Sequence, residues 1–393
     1  DMEPKVVESC MRSRKRQRWK YDTCNTVCGE GGSGNNWASG YMKHGPRAAA
    51  NVIELVRKEI ETTEAFGGFA IFHSVAGGTG SGLGSFITEA LRDTHGRKNI
   101  FNMVVWPHSS GEVVVQSYNS VLTLSHVLED SDAVICLNND DYSSICKRML
   151  HIKKPDIHDL NRAMAKDLAN VLLPAHVCGS KWQKRNVLNS ICSHVCSHPS
   201  FKLLQTKSVP QMPLEMVKYS SHGWRSILKH LHQMHRTTSI LDETMDWSTT
   251  SIPRSVANSI TLRGSNVKDA VDIISGRGPM SLSSSDALPL KLPGFTDPLN
   301  YSSWFGRQVE EDMLQVRYVN TDKGVLGGYE KVAALLNNGN AICAPLSIVS
   351  SRAQEMFQGG AYIHQYENYK LEKDDFIDAF VKTEQVLANY RSL

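Results

Sequence analysis

Short apolar runs alternate with amphipathic stretches over the first 173 residues of the chain. Three apolar runs predict buried strands, at 69–75, 100–106 and 133–137. Four stretches with helical spacing separate or follow them, at 82–91, 118–128, 140–150 and 156–173. Strands that alternate with helices in this way predict a parallel sheet with helices on both faces. We therefore expect an α/β fold for this part of the chain.

The alternation becomes looser after Pro174. Candidate strands follow at 201–204, 259–263 and 315–318, and candidate helices at 224–234, 267–274, 347–357 and 374–390. A stretch rich in Ser, Pro and Gly predicts a long exposed loop at 276–298. We expect four regions: a parallel-sheet domain at 1–138, core helices at 139–175, an intermediate α+β domain at 176–345 and a C-terminal helical region at 346–393.

Composition and charge leave the function open. The 393 residues suffice for two or three domains, and 21% charged residues are typical of a folded globular protein. The net charge of +3 does not require a nucleic acid or a membrane as partner. The sequence has neither a membrane-spanning apolar run nor a signal-peptide pattern, and its nine cysteines lack disulfide-scaffold spacing, so we expect an intracellular protein. Because the chain starts with Asp1, we also expect the natural N terminus to lie upstream.

Three local patterns have both a chemical and a structural interpretation. The sequence CSHVCSH at 192–198 offers zinc ligands, although its spacing favours a half-buried helix end. The three histidines within 230–235 offer metal ligands as well, but a helix with a wet, basic face is favoured. The basic run at 12–20 is open to a nuclear-localisation or nucleic-acid patch, but a solvated helix end or a partner-docking face is favoured.

A glycine-rich stretch at 73–85, HSVAGGTGSGLGS, lies between a predicted strand and a predicted helix. A backbone this bare exposes N–H groups and the helix start adds its dipole, so the stretch predicts an anion site suited to phosphate. The P-loop pattern needs a lysine where this chain has Leu83, and G-x-G-x-x-G cannot be fitted to 77–84. A tight turn with helix capping is the alternative, and the spacing alone leaves both open.

The same stretch resembles the G-G-G-T-G-S-G signature of the tubulin superfamily, whose loop wraps the phosphates of GTP, with Ala76 in place of a glycine. Other family segments have counterparts along nearly the whole chain, as DMEP at 1–4, NNWASG at 35–40, YNSVLT at 118–123, DLNR at 159–162 and AYIHQY at 361–366. The details are most similar to the delta-tubulin branch, which is associated with centrioles and basal bodies. The resemblance implies a parallel-sheet GTP-binding domain, an α+β intermediate domain and C-terminal helices.

The resemblance also implies contacts to GTP and Mg²⁺. Backbone N–H groups and two hydroxyls of the glycine loop would hold the phosphates, at Gly77, Gly78, Thr79, Gly80, Ser81 and Gly82. The other implied contacts are to the terminal phosphate for Gly34 and Asn35, to Mg²⁺ for Asp1 and Glu3, to the ribose for Glu112 and Gln116, and to the base for Asn139, Ile157 and Asn161.

Three departures from the family pattern bear on activity. Ile157 replaces a tyrosine that stacks on the base, and the family's first strand and one phosphate loop would precede Asp1, which leaves the GTP-binding domain incomplete at its start. Ser190 stands where the family presents an acidic residue to the next subunit. A serine cannot orient or deprotonate water as a carboxylate does, so we expect no catalytic residue in this chain and little autonomous GTP turnover.

These features predict a GTP-binding cytoskeletal protein that is a structural or assembly component of centrioles, basal bodies and cilia. The expected partners are other tubulins and microtubule or centriole components, without nucleic acid or membrane. The expected location is the cytoplasm and cytoskeleton, at the centrosome and the base of the cilium, with the nucleus left open. Two alternatives remain, a stand-alone nucleotide hydrolase and a nucleotide-free pseudo-tubulin.

Overall fold

The computed structural model describes residues 2–12, 22–29, 31–111, 113–179, 186–219, 223–236, 253–275, 294–302, 313–322, 324–325 and 327–393. The chain folds as two compact units. Unit 1 comprises residues 1–134 and 344–388, and unit 2 comprises residues 135–343 and 389–393.

Helices occur in both units. In chain order they are α1 (Pro4–Arg12), α2 (Gly45–Thr62), α3 (Gly84–Thr94), α4 (Gln116–Asp130), α5 (Asn139–Ser144), α6 (Ile157–Leu172), α7 (Val187–Val195), α8 (Trp224–Arg236), α9 (Val267–Ser275), α10 (Cys343–Gln358), α11 (Ile363–Glu367) and α12 (Lys373–Arg391). Each helix within the described residues is too short or too polar to cross a lipid bilayer.

Strands also occur in both units. In chain order they are β1 (Gly68–Ser74), β2 (Asn99–Trp106), β3 (Ala133–Asn138), β4 (His176–Val177), β5 (Leu203–Val209), β6 (Ser255–Gly264), β7 (Leu314–Asn320) and β8 (Lys331–Gly339).

Unit 1 is built on parallel strands and helices that alternate with them. β1 pairs with β2 in parallel, with Phe69 opposite Ile100 and Ser74 opposite Val105. α3 joins the two strands and packs against α2 and α4. Near the end of the chain, Tyr366 and Phe376 pack edge-on against Tyr118 of α4. The strand–helix–strand order confirms the predicted α/β fold with a parallel sheet.

Unit 2 contains a mixed sheet with the strand order β5-β8-β6-β7-β4. β8 is antiparallel to both β5 and β6, whereas β6 and β7 are parallel. At the centre of the sheet Ile260 lies opposite Leu335, and both side chains are fully buried. Helices α6, α7 and α8 pack against these strands. The mixed sheet confirms the α+β character predicted for this part of the chain.

Two buried arginines cap the C-terminal end of α6. Arg263 of β6 donates hydrogen bonds to the carbonyl groups of Asn170, Leu173 and Pro174. Arg317 of β7 donates to the Val171 carbonyl at 2.8 Å. Burial lowers the pKa of Arg317 to about 10, and the neighbouring Arg263 guanidinium contributes to this lowering. The carbonyl groups left unpaired by the last helical turn, together with the negative end of the helix dipole, offset the burial of these charges.

The prediction that the histidine-rich helix has a solvent-exposed face formed by its histidines is wrong. Residues 224–236 do form α8, but His235 is only 3% exposed and His232 is half-buried, and both rings lie against Phe295. The physical reason is helical spacing. His235 follows Leu231 by four residues and Leu228 by seven, so it continues the apolar face.

Several other boundaries differ from the sequence-based expectation. The predicted helix at 140–150 is the short α5 followed by a π-helical turn at Ile145–Met149. The strand expected at 201–204 starts at Leu203 and runs on to Val209, and β8 and α2 were not predicted. Most of the loop expected at 276–298 and nearly all of the basic run at 12–20 lie outside the described residues.

Candidate functional site

The glycine loop begins where β1 ends. Val75 continues the strand geometry by donating its N–H to the Val105 carbonyl, and residues 79–83 then form a π-helical turn that leads into α3. Within this turn the N–H of Gly82 donates to the Gly78 carbonyl at 2.8 Å. The loop is therefore the entry to a helix, where backbone N–H groups and the helix dipole favour an anion.

Close packing of backbone on backbone explains most of the glycines. A Cβ atom at Gly82 would lie 2.0 Å from the carbonyl oxygen of Trp37, and one at Gly78 would lie 2.6 Å from the backbone of Asn36. A Cβ at Gly80 would lie 2.6 Å from the Ser74 carbonyl oxygen. Gly77 differs, because a Cβ there meets only Asn35 Oδ1, at an ordinary 3.5 Å. Among these four glycines, only Gly77 has room for a side chain.

The two loop hydroxyls have partners inside the protein. Ser81 is fully buried, and its Oγ donates to the Gly77 carbonyl. Thr79 Oγ1 shares a hydrogen bond of 3.0 Å with Ser33 Oγ. The Ser81 hydroxyl is therefore engaged within the loop, whereas the Thr79 hydroxyl joins the glycine loop to the segment that contains Ser33.

A second bare segment, residues 31–35, lies beside the glycine loop. Gly34 and Asn35 both have left-handed backbone geometry, with φ of 57° and 53°. Glycine adopts this geometry at little cost, and asparagine is one of the few other residues that tolerate it. The sequence at these two positions therefore fits the turn that brings the second segment beside the first.

The two segments line one cavity of about 810 Å³. Its walls are Met2–Val6, Gly31–Asn35, Ser74 and Gly77–Gly80. The structure thus brings together Glu3, Gly34, Asn35 and four of the six predicted phosphate-loop residues. Asp1, the other predicted Mg²⁺ ligand, lies outside the described residues. Glu3 supplies a carboxylate to the cavity wall and Lys5 an ammonium group.

The structure does not place the predicted ribose contacts, Glu112 and Gln116, at the cavity wall. Gln116 is the first residue of α4; its side chain is buried, and its amide donates to the His108 carbonyl at 2.9 Å. Gln116 is not among the residues that line the cavity. Glu112 lies outside the described residues.

The predicted base contacts belong to unit 2. Asn139 begins α5, and its Oδ1 is buried and accepts no hydrogen bond within the described part of the chain. Ile157 and Asn161 lie one turn apart at the start of α6, and Ile157 is 56% exposed. A capping box between Asp156 and Asp159 fixes this helix start. Ser190 is buried within α7.

The cysteine and histidine pattern at 192–198 falls at the end of α7. Cys192 is half-buried in the helix, Cys196 is its C-terminal cap, and the His198 ring lies against Phe201. His194 also lies on this helix. The described ranges contain no group of three or more His, Cys, Asp or Glu side chains placed to hold a metal ion.

Sequence reasoning missed four residues that build the site: Lys5, Ser33, Asn36 and Asn119. Asn36 is buried, its Oδ1 accepts from the Ser39 N–H, and its Nδ2 donates to the Gln365 carbonyl. Asn119 is fully buried within α4 and bonds to both bare segments. The sequence does contain a signal for Asn119. This residue lies in a predicted helix with many apolar residues, and a buried asparagine amide requires hydrogen-bond partners.

His73 fixes β1 beneath the glycine loop. Its Nε2 lies 2.9 Å from Asn102 Oδ1, while the Asn102 amide donates to Ser131. Asn102 therefore accepts and His73 Nε2 donates. Burial lowers the pKa of His73, so the ring is neutral at physiological pH and supplies no positive charge to the loop.

A glycine loop that leads from a parallel strand into a helix and lines a cavity defines a phosphate-binding α/β domain. Residues 1–147 match the family model described as Tubulin/FtsZ family, GTPase domain. The whole chain is 37% identical to the tubulin delta chain of Macaca fascicularis and 36% identical to that of Canis lupus familiaris, and it covers 85% of each. It is 25% identical to the human tubulin beta-1 chain, of which it covers 79%.

The chain therefore belongs to the tubulin family. It shares more identity with these delta chains than with the beta-1 chain. This confirms the resemblance carried by the glycine loop and the other segments. Membership in the family implies a GTP-binding domain and a tubulin-like cytoskeletal protein.

Proposed function

We propose that this chain binds GTP with Mg²⁺ in the cavity between the glycine loop and residues 31–35, and that it is a structural or assembly component of centrioles, basal bodies and cilia. The observation that carries the proposal is the cavity itself, in which Gly77–Gly80 and Gly31–Asn35 line the same space. Its volume of about 810 Å³ lies within the range of small-molecule sites.

The residues present fit a nucleotide phosphate group. Within the described part of the chain nothing accepts a hydrogen bond from the N–H of Gly77 or Gly78, so both remain available to phosphate oxygens. Glu3 supplies the hard oxygen that Mg²⁺ prefers, and we propose Asp1 as its partner ligand. The Lys5 ammonium adds positive charge to the same wall. When bound, Mg²⁺ would neutralise charge on the phosphates.

The remaining proposed contacts rest on matches to family segments. They are Thr79, Ser81 and Gly82 at the phosphates, Glu112 and Gln116 at the ribose, and Asn139, Ile157 and Asn161 at the base. The Ser81 hydroxyl and the Gly82 N–H both donate to carbonyls of the loop itself, so their contacts to phosphate require an exchange of these bonds. The buried Oδ1 of Asn139 has no donor within the residues that the structure describes, and a buried acceptor without a donor costs free energy, so this atom supports a polar ligand at Asn139. The exposed Ile157 side chain supports an apolar surface that a base could cover.

We expect the isolated chain to hydrolyse GTP negligibly. Among the described residues that line the cavity, only Glu3 carries a carboxylate, and a bound Mg²⁺ would occupy it. A steady-state phosphate-release assay checks this. Sustained turnover without a second protein would favour the stand-alone hydrolase instead.

Binding is best tested at Gly77, because the structure leaves room for a side chain there. Gly77→Val places two methyl groups at the cavity wall and should weaken the binding of a fluorescent GTP analogue at least about tenfold. Gly96→Ala is the matched control, since its Cβ would meet only the Arg92 carbonyl oxygen at 3.4 Å, away from the cavity. Unchanged affinity in a folded Gly77→Val protein would refute the site.

The same measurement is made on a second version extended upstream of Asp1 with the segment of a delta chain that precedes the match. We expect the extended version to bind more tightly, since the resemblance places a further phosphate loop in that segment. If neither version binds GTP, the nucleotide-free pseudo-tubulin is favoured.

The cellular proposal has its own test. A fluorescently tagged copy should concentrate at centrioles and at the base of cilia, within the cytoplasm. Uniform labelling along cytoplasmic microtubules would contradict this part of the proposal while leaving GTP binding untouched. Co-purification with other tubulins would support the proposed partners.

A further inference from the structure

Asn119 uses its whole side-chain amide to join three parts of unit 1. Its Nδ2 donates to the carbonyl oxygens of Asn35 and Ala76, both at 2.8 Å. Its Oδ1 accepts from the N–H of Trp37 at 2.9 Å and from the hydroxyl of Tyr366 at 2.7 Å. An amide can make four such bonds, so this fully buried side chain is saturated.

The bond to Ala76 orients the glycine loop. In a trans peptide the C=O and the following N–H point in opposite directions. Since Ala76 directs its carbonyl at the buried Asn119, the N–H of Gly77 points away from Asn119, and Gly77 lines the cavity. The bond to the Asn35 carbonyl holds the second cavity wall from the same side chain. One amide thus fixes both walls relative to each other.

The third part is residues 361–366, a turn that runs into the first four residues of α11 and that we call the turn at 361–366. Tyr366 reaches Asn119 directly, and two neighbouring bonds hold the same turn. The Tyr118 hydroxyl donates to the Ala361 carbonyl at 3.0 Å, and Asn36 Nδ2 donates to the Gln365 carbonyl at 3.0 Å. Tyr118, next to Asn119, and Asn36, next to the wall residue Asn35, therefore bond to the two ends of this turn.

We propose that Asn119 is a positioning residue that sets both walls of the proposed GTP site and couples nucleotide binding to the turn at 361–366. The proposal rests on GTP binding at this cavity. A ligand that tightens the two walls also orders Asn119 and, through Tyr366, the turn. By linkage, the factor by which bound nucleotide favours the ordered turn equals the factor by which the ordered turn raises the affinity for nucleotide. A substitution that uncouples the turn should therefore lower that affinity. Tyr362 and His364 of the turn are exposed, so the turn presents the nucleotide state at the protein surface.

Three variants separate this role from a general contribution to stability. Asn119→Asp keeps both acceptor bonds and loses both donor bonds to the walls. Tyr366→Phe loses only the hydroxyl and keeps the ring packed against Tyr118 and Phe376. Thr123→Val is the control, because Thr123 lies one turn along the same buried helix and its hydroxyl donates, among the described residues, only to the Asn119 backbone carbonyl.

The affinity for a fluorescent GTP analogue in the presence of Mg²⁺ is the first measurement. We expect Asn119→Asp to raise Kd at least about tenfold, Tyr366→Phe to raise it about three- to tenfold, and Thr123→Val to leave it within about twofold. If Asn119→Asp does not fold, Tyr366→Phe still decides. An unchanged Kd in Tyr366→Phe overturns the coupling.

Hydrogen exchange distinguishes the proposed coupling from a purely structural role of Asn119, because a structural role predicts no effect of nucleotide on exchange at 361–366. Addition of GTP to the unmodified chain should slow exchange at 361–366, and saturating GTP should no longer do so in Tyr366→Phe. Without nucleotide, Tyr366→Phe should speed exchange at 33–37 and 75–78. If the unmodified chain fails to bind GTP, the proposed function fails, and this last comparison alone decides whether Asn119 joins the walls to the turn. Unchanged exchange there would refute it.

Discussion

The buried histidines of α8 predict a loss of stability in mild acid. His235 lies beneath Phe295 with Lys207, His232 and Arg236 nearby, and all three neighbours are cationic or become so. Burial first and these charges second lower the pKa of His235 to about 3. Burial and Arg236 lower the pKa of His232 to about 4, partly opposed by Asp297.

The sign follows from proton binding in the two states. Well above pH 6.5 both states hold a neutral His235, so this residue contributes no pH dependence there. Between pH 6.5 and about 3 the unfolded chain binds a proton that the folded protein refuses, and the free energy of unfolding falls as the pH falls. At one pKa unit per about 1.4 kcal/mol, acidification to about pH 4.5 costs roughly 2–3 kcal/mol at His235 alone.

His235→Gln isolates this contribution, because glutamine occupies similar space and does not titrate. Urea unfolding is measured for both proteins at pH 7 and at about pH 4.5. The difference in unfolding free energy between the two pH values should be about 2 kcal/mol smaller in His235→Gln, since all other titrating groups are shared. An equal pH dependence in the two proteins, or a His235 ring that titrates near pH 6.5 by NMR, would show that the reasoning is wrong.

Two further predictions concern packing. Gly82→Ala should destabilise unit 1 by at least about 2 kcal/mol in urea unfolding, because its Cβ would lie 2.0 Å from the Trp37 carbonyl oxygen, whereas Gly96→Ala should be nearly neutral. Arg317→Met removes a hydrogen bond to the Val171 carbonyl at 2.8 Å and a long one to the Leu173 carbonyl at 3.5 Å, and it relieves repulsion from Arg263. Arg263→Met removes hydrogen bonds to the carbonyls of Asn170, Leu173 and Pro174, and Arg317 remains as a donor to Leu173 alone among these three. Arg263→Met should therefore cost at least about 1 kcal/mol more in the same assay. Equal costs for the two arginine variants would contradict the capping role.

The sequence pattern predicted the elements that have one buried face or that are bordered by turn-forming residues such as glycine. β1, β2 and α3 follow the predicted order because a strand, a glycine-rich turn and an amphipathic helix differ in local pattern. β8 was missed because its apolar run at 332–336 is short and leads into Asn337, Asn338 and Gly339, residue types that are typical of turns. The Gly-Pro start of α2 reads as a turn, although proline is favoured in the first helical turn.

The site was predictable only where its chemistry is local in sequence. The two bare segments carry their own signal, since glycine and asparagine mark positions with unusual backbone geometry. The contacts that organise them are distant. Asn119 bonds to carbonyls 84 and 43 positions away, and Tyr366 lies 247 positions from it. No periodicity reports such pairs, because tertiary packing alone decides which buried amide meets which carbonyl.

The glycines of the loop meet two separate requirements. Gly78 and Gly82 allow the loop backbone to touch the backbone at 36–41, so they are needed whether or not a nucleotide binds. Gly77 lines the cavity without needing to be bare for packing, and its N–H is oriented by Asn119 through Ala76. A loss of binding after substitution of Gly82 would therefore report on folding. Substitution of Gly77 tests phosphate binding separately from folding. The presence of the whole glycine signature does not, because several of its glycines are required by packing alone.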